Sequence, residues 1–312
     1  MTILCVTPNV AVDRTLRVPG FAAGGVWRAR DVHIAAGGKG LNVARALLRL
    51  ERPAHCAGLV GGVAGRRVAI LAEAEGLPAR WTWIDGETRT SVIVVGDHSA
   101  ATVINEPGPA ISVTEWARFA ADVAVAAKDC VAVCISGSLP WDYPARGVAS
   151  LIAAASEPGR PVWVDTSGGA LQEAVAAAST CIKINGEEAE ALLGQHVRNP
   201  RQAIRAAREI LRRGPRAAAI TLGSAGAVLM TCAGGWHARS PLVEAVNPVG
   251  SGDCFLAGLV AGLSEGRAEA EALRLATACG AANALTMHAG DIESEQVERL
   301  ASAVVVREGT LP

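Results

Sequence analysis

Short apolar runs alternate with stretches of helical period along most of this chain, and that alternation admits few folds. Strand-like runs fall at Thr2–Val6, Ala54–Val60, Val131–Ile135, Val162–Asp165, Cys181–Ile184 and Ala217–Thr221. Helical stretches lie between them, at Leu41–Leu50, Arg66–Glu75, Thr114–Ala127, Ala145–Ser156, Leu171–Ala178 and Gln202–Arg213. Strands joined through helices pair in parallel, so the pattern predicts an α/β fold with helices on both faces of a mainly parallel sheet. The last third is more helical, over Cys254–Leu263, Ala268–Leu285 and Glu293–Ala301.

Two regions break the alternation. Thr15–Ala35 has strand-like pieces and almost no helical period, and Ser91–Val95 pairs with Ala101–Asn105 around the turn Gly96–Ala100. Read alone, they fit a small accessory sheet or ordinary edge hairpins equally well. The whole chain, 1–312, reads as one domain with inserts at 14–35 and 89–106.

Half of the 312 residues are apolar, enough for a large core. With 29 basic and 30 acidic residues the net charge is −1, which excludes broad electrostatic capture of nucleic acid or of an anionic membrane. Met1 leads straight into a strand-like run, and no apolar run reaches the roughly 20 residues of a membrane span. The eight cysteines include no CxxC pair and no histidine cluster has metal spacing, so they read as reduced thiols of a cytoplasmic protein. Only Lys39, Lys128 and Lys183 are lysines, against 26 arginines, so each lysine stands out.

Four glycine-rich turns carry the chemistry. In NPVGSGDCFLAGL, Gly250, Ser251, Gly252 and Asp253 crowd a helix start, where converging backbone N–H groups make an anion site. The helix dipole there should make Asp253 more acidic than usual. AAGGKGLNVARAL (Ala35 to Leu47) fails both the Walker and the GxGxxG patterns. It does place Lys39 and Asn42 at a tight turn, where hydroxyl-rich ligands find donors and acceptors. TLGSAGAVL (Thr221 to Leu229) serves as a hairpin or as a nucleotide turn. In IKINGEEAEALLG, Asn185 fits a helix N-cap, yet Asn185 and Glu188 could also orient waters around Mg²⁺.

The order of these pieces is more specific than any one of them. GGKGLN, SGSLP (Ser136–Pro140), KINGEE, TLGSAG and NPVGSGD together resemble the ribokinase-like, or PfkB, family of carbohydrate kinases, from Thr7–Asn9 to the final helices. TPNVAVDRT, GETRTS and VINEPGP look like its branch of 1-phosphofructokinases, phosphofructokinase-2 and tagatose-6-phosphate kinases. The resemblance implies a doubly wound domain with a small β-sheet lid, homodimerisation through that lid, and Mg²⁺-dependent transfer of the γ-phosphoryl of ATP to a sugar phosphate.

Roles carried over by the resemblance are these. Asp253 matches the catalytic base, with the N–H groups of Gly250, Ser251, Gly252 and Asp253 stabilising the transferring phosphoryl, at about 2–4 kcal/mol per well-placed donor. Asp13, Gly38, Lys39 and Asn42 match the sugar site; Arg28, Arg89, Ser138 and again Lys39 match positions that hold the acceptor's fixed phosphate. Lys183, Asn185, Thr221, Gly223, Ser224, Gly226 and Asn283 match the ATP site, and Asn185 with Glu188 the Mg²⁺ element, through water. Departures are Ile184 where proline is usual, Ser91 where asparagine is common, and Pro8 in place of leucine.

The acceptor stays open among fructose 1-phosphate, fructose 6-phosphate and tagatose 6-phosphate. A nucleoside or free-sugar kinase of the same fold is the alternative. A dinucleotide-binding dehydrogenase is disfavoured because no GxGxxG follows the first strand with an acid about 20 residues on. A non-catalytic sugar-phosphate sensor would have no need of Asp253.

Overall fold

Alternate residues of the first strand, β1 (Thr2–Thr7), face opposite layers: Ile3 and Cys5 join one buried cluster, Leu4 and Val6 the other. A strand apolar on both faces needs helices on both, as a central strand of an α/β sheet does. The computed structural model describes residues 1–97, 101–177 and 180–309.

After β1 come β2 (Ala11–Arg17), β3 (Asp31–Gly37), α1 (Lys39–Arg49), β4 (Ala54–Gly61), α2 (Gly62–Ala74), β5 (Ala79–Ile84), β6 (Arg89–Val95) and β7 (Ala101–Asn105). The chain continues through α3 (Val113–Ala127), β8 (Cys130–Ser136), α4 (Gly147–Ala155), β9 (Val162–Asp165), α5 (Gly168–Ala176), β10 (Cys181–Asn185), α6 (Gly186–Leu193), α7 (Pro200–Arg212) and β11 (Ala217–Thr221). It ends with β12 (Ala227–Thr231), β13 (Gly235–Arg239), α8 (Ser251–Ser264), α9 (Glu269–Ala284), α10 (Ser294–Ala303) and β14 (Val305–Glu308).

The main sheet has the order β14-β13-β12-β11-β10-β9-β8-β1-β4-β5. From β11 to β5 every neighbouring pair is parallel. The winding reverses between β1 and β8, and the carboxyl ends of the parallel strands share one edge. In open sheets of this kind that reversal opens a ligand crevice. Residues of α1, α2, α8, α9 and α10 cover one face, and residues of α3, α4, α5 and α7 the other.

The two irregular regions meet in a separate four-stranded sheet, β3-β2-β6-β7. The joint is the parallel pairing of β2 with β6, which sets Asp13 opposite Ser91. Because β2 begins at Ala11, three residues before the expected insert, Asp13 belongs to this sheet. The expected turn Gly96–Ala100 lies in part, and Ala178 wholly, outside the described residues.

The Thr221–Leu229 hairpin forms, with β12 antiparallel to β11, and β13 and β14 extend that edge beyond the sequence expectation. β13 (GWHAR) and β14 (VVRE) are too short and polar to announce themselves. Helix α8 starts at Ser251, so Asp253 sits inside the first turn. That helix is buried nearly throughout and packs closely on α9: a Cβ at Gly258 would lie 2.9 Å from Ala276 Cα, and one at Gly262 3.0 Å from Ala272 Cα. Small residues thus let the two helices approach, and the approach fixes where the α8 N-terminus points.

Candidate active site

The α8 N-terminus is built by a residue only glycine accommodates. Gly250 caps the helix at φ 89, and a Cβ there would meet Ala289 Cβ at 2.6 Å. Two of the four N–H groups are already used: Ser251 N donates to Pro248 O and Asp253 N to Gly250 O. Those of Gly250 and Gly252 bond to no protein group among the described residues, which narrows the anion cradle to these two. Asn283 is buried and braces the turn. Its Nδ2 donates to Val249 O at 2.9 Å and Ser251 Oγ at 3.3 Å, and its Oδ1 accepts from Gly290 N at 2.9 Å. With its amide spent inside the protein, Asn283 does not line the neighbouring cavity expected to take the nucleotide.

Asp253 is 5% exposed, and its Oδ2 accepts from Asn42 Nδ2 at 2.8 Å. Burial raises its pKa to about 6, with Asp165 adding to the rise and Lys39, Lys183 and Asn42 opposing it. This reverses the expectation of an unusually acidic group. A helix dipole contributes at most about 1–2 kcal/mol, whereas removing a carboxylate from water can move its pKa by several units.

Asn42 and Lys39 come from the start of α1. Gly38 caps that helix at φ 122, so Lys39 is its first residue. The following turn presses on β1, since a Cβ at Gly40 would lie 2.3 Å from Thr7 Oγ1 and 2.8 Å from Val6 O. Lys39 Nζ reaches Asp165 Oδ1 at 2.9 Å and lies 4.0 Å from Glu188 Oε1. Lys183 Nζ takes the other oxygen of Asp165 at 2.6 Å. Burial opposes charge on Asp165, but Lys183 and Lys39 outweigh it and hold the carboxyl below its usual range. Burial also opposes charge on Lys39, yet Asp165, Asp253 and Glu188 raise its pKa overall. A Cβ on Gly252 would sit 2.7 Å from Lys183 Nζ, so that ammonium borders the cradle.

Sequence reasoning missed Asp165. It is the last residue of β9 and therefore stands at the crevice edge of the sheet. Strand position is the signal that finds it, since no motif contains it.

Asn185 and Glu188 form a reciprocal capping box on α6: Asn185 Oδ1 accepts from Glu188 N and Glu188 Oε2 from Asn185 N, both at 2.8 Å. Glu188 Oε1 takes no part in the box and faces Lys39. No group of three or more His, Cys, Asp or Glu residues with metal-binding geometry occurs among the described residues.

Of two cavities nearby, one borders the α8 N-terminus, and the other lies beyond Asn42, the hydrogen-bond partner of Asp253, and is lined by no residue of that terminus. One, of about 320 Å³, is lined by Thr221, Gly223, Ser224, Gly226, Ser251 and Gly252 among others. The other, of about 480 Å³, opens under the small sheet and is lined by Asp13, Asn42, His33, Arg45, Glu75 and His288 among others. Burial raises the pKa of Asp13 to about 6, against the pull of Arg45, Arg89 and the Gly38 N–H.

The expected phosphate-holding residues divide. Arg89 donates to Asn9 O through Nε at 3.3 Å and Nη2 at 3.2 Å, while Asn9 Nδ2 donates to Ser138 Oγ at 3.3 Å. Asn9, absent from the expected site, thus joins Arg89 to Ser138. Arg28 lies exposed on the β2–β3 connection and is not brought to this cluster by the protomer.

Residues 1–296 match the family model described as pfkB family carbohydrate kinase. The chain is 36% identical over 318 residues to a 1-phosphofructokinase of Rhodobacter capsulatus, covering 100% of this chain and 99% of that protein. Phosphofructokinase-2 from Escherichia coli, in complex with fructose-6-phosphate, superposes with a TM-score of 0.86 at 25% identity, covering 97% and 98% of the two chains. A possible 1-phosphofructokinase from Thermotoga maritima shares the fold, with a TM-score of 0.89 at 22% identity over 99% and 100%.

Proposed function

This chain belongs to the pfkB family of carbohydrate kinases, and from that membership we propose that it moves the γ-phosphoryl group of ATP to a hydroxyl of a ketohexose monophosphate. Fructose 1-phosphate is the first acceptor to test, given the Rhodobacter capsulatus relative. The observation that carries the reading is the setting of Gly250–Asp253: Ser251 and Gly252 line one cavity beside Lys183, and Asp253 is hydrogen-bonded to Asn42, which lines the other.

ATP would occupy the cavity at Thr221, Gly223, Ser224 and Gly226, and the sugar phosphate the side of Asp13, Gly38, Lys39 and Asn42. Asp253 orients the acceptor hydroxyl and receives its proton as the new O–P bond forms and the β–γ bridge breaks. A pKa near 6 makes it a stronger base than an ordinary carboxylate while leaving it ionised at neutral pH. The N–H groups of Gly250 and Gly252 and the ammonium groups of Lys39 and Lys183 stabilise charge on the phosphoryl oxygens in a loose transition state. Arg89 and Ser138 would hold the fixed phosphate, and Arg28 would join them only through loop movement or from a second copy.

Mg²⁺ favours few protein oxygens, its own waters and the phosphates of the nucleotide. Glu188 Oε1, left over from the capping box, fits that requirement, with Asn185 acting through water. When bound, the ion neutralises phosphate charge.

A homodimer through the small sheet is supported by its exposed apolar side chains, Val32, Val103 and Ile104, with Trp27 on the adjoining loop. Eight free cysteines, seven of them buried, fit a reducing, cytoplasmic setting. No described helix is long and apolar enough to cross a membrane.

The test is ADP release with fructose 1-phosphate, fructose 6-phosphate, tagatose 6-phosphate, ribose, fructose and adenosine as acceptors. Turnover confined to the sugar phosphates is expected. Turnover only with ribose, fructose or adenosine overturns the reading in favour of a free-sugar or nucleoside kinase.

A further inference from the structure

Asn42 touches Asp253 through an amide whose two ends differ chemically: one only accepts hydrogen bonds, the other only donates. Its neighbour on the far side decides which end faces the carboxylate. Arg45 Nη1 donates to Asn42 Oδ1 at 2.9 Å and to Ala289 O at 3.0 Å. Its Nη2 donates to Ala36 O at 2.8 Å and to Glu75 Oε2, and its Nε donates to Glu75 Oε2 at 2.8 Å. All five guanidinium N–H groups are therefore engaged. Glu75 is fixed in turn, because its Oε1 accepts from Ala36 N at 3.0 Å. The guanidinium cannot rotate without breaking several bonds, and it has no acceptor to offer.

We propose that Arg45, anchored by Glu75, is a positioning residue for Asp253: by presenting only donors to Asn42 it turns the amide so that its NH₂ end grips Asp253 Oδ2. A flipped amide would set NH₂ against guanidinium and carbonyl oxygen against carboxylate, two repulsions at once. The held orientation favours ionised Asp253, while Oδ1, hydrogen-bonded to no protein group among the described residues, is left for another donor. That this donor is the acceptor hydroxyl rests on the kinase reading; the orientation itself does not.

Other charges also reach Asp253. Lys39 on α1, Lys183 on β10 and Asp165 at the end of β9 face it, Cys254 adjoins it on α8, and Asp13 on β2 and Arg45 lie beyond Asn42. Arg45→Gln also removes a positive charge, which by itself raises the Asp253 pKa, so the experiment must compare variants of equal charge.

Arg45→Gln offers Asn42 either a donor or an acceptor and permits the flip. Arg45→Lys stays donor-only. Both lose the fork to Glu75, so a merely structural role would affect them alike. The Asp253 carboxyl is followed by NMR in ligand-free protein labelled with ¹³C-aspartate, with Asp253→Asn as the assignment control. Arg45→Met loses the same charge as Arg45→Gln and offers Asn42 neither donor nor acceptor. Arg45→Gln should raise the titration midpoint by about 0.5 unit or more above that of Arg45→Met, and Arg45→Lys should leave it near the wild-type value. Equal midpoints in Arg45→Gln and Arg45→Met, or an equal rise in Arg45→Gln and Arg45→Lys, overturn the proposal. If Arg45→Gln does not fold, Arg45→Asn takes its place, since it offers the same amide on a shorter stem; its midpoint must likewise rise above that of Arg45→Met, and otherwise the proposal fails. Because no substrate is present, this result is independent of the acceptor panel. In an active enzyme the acid limb of kcat/KM should move by the same amount.

Discussion

Lys183 Nζ lies 2.6 Å from Asp165 Oδ2, in a pair whose side chains are 4% and 0% exposed. A second ammonium, Lys39, holds the other oxygen of that carboxylate but keeps 38% of its side chain exposed. The Lys183 ammonium also borders Gly252, where a phosphate would arrive. The two lysines should therefore separate stability from function. Lys183→Met leaves a buried carboxylate short of a partner and should cost about 3–5 kcal/mol. Lys39→Met, at a solvent-screened position, should cost about 1 kcal/mol or less. Both should lose most phosphoryl transfer. Urea unfolding at neutral pH with parallel ADP-release assays checks this; equal stability losses would show that Lys183 is not the buried partner described.

Asp253→Asn should remove activity and strengthen the fold. The folded-state pKa of Asp253, about 6, lies above its ordinary value of 3.8, so the ionised carboxylate is destabilising in the native state. For a carboxyl raised in this way the penalty is fully present above the folded pKa, fades as pH falls, and is gone below the unfolded pKa. A neutral amide escapes it. The variant should gain on the order of 2–3 kcal/mol at about pH 8 and little at about pH 4, while kcat falls by about 10³-fold or more and sugar-phosphate binding persists. Denaturation and turnover at both ends of that range decide it, and an unchanged kcat would remove Asp253 from the mechanism.

What the chain disclosed beforehand follows the range of the forces involved. Parallel strands buried on both faces write themselves as apolar runs, so β1, β4, β8, β9, β10 and β11 were legible. The glycine turns were legible because only glycine tolerates the φ values at Gly38 and Gly250. Residues whose role depends on assembly were not. Asp165 lies in no motif and gains its meaning from two lysines, 126 and 18 positions away in sequence. Arg45 looks like one more arginine of an arginine-rich chain until Glu75 and Asn42 close around it. The ionisation of Asp253 was misjudged for the same reason, since helix position can be read locally and burial cannot.

Arg89 tests the acceptor side. Its guanidinium ties the Asn9 carbonyl to β6 and also reaches Asn105 Oδ1 and Glu106 O. Burial lowers its pKa, against the pull of Asp13 and Glu106. Arg89→Ala should raise the acceptor KM by about tenfold or more and leave the KM for ATP nearly unchanged. Arg89→Lys keeps the charge but loses the two-pronged grip, so its effect should fall between alanine and wild type. A matching rise in the KM for ATP would mean that Arg89 supports the whole crevice and does not hold the acceptor.

Asp13 and Asp253 both have pKa values raised to about 6, one facing the expected sugar site and the other the transferring group. In free enzyme each accepts a hydrogen bond from the sugar most strongly once it has lost its proton. Two ionisations in one range give log kcat/KM for the acceptor a slope approaching about 2 below pH 6. Bound sugar already donates to Asp13 and keeps it ionised, so kcat should follow Asp253 alone, with a slope of about 1. Asp13→Asn removes one of the two protons and should reduce the kcat/KM slope to about 1, with a higher acceptor KM at every pH. Profiles from about pH 5 to pH 8 with saturating ATP distinguish the cases. A slope of 1 for kcat/KM in the wild-type protein would show that Asp13 does not need to be ionised to bind the acceptor.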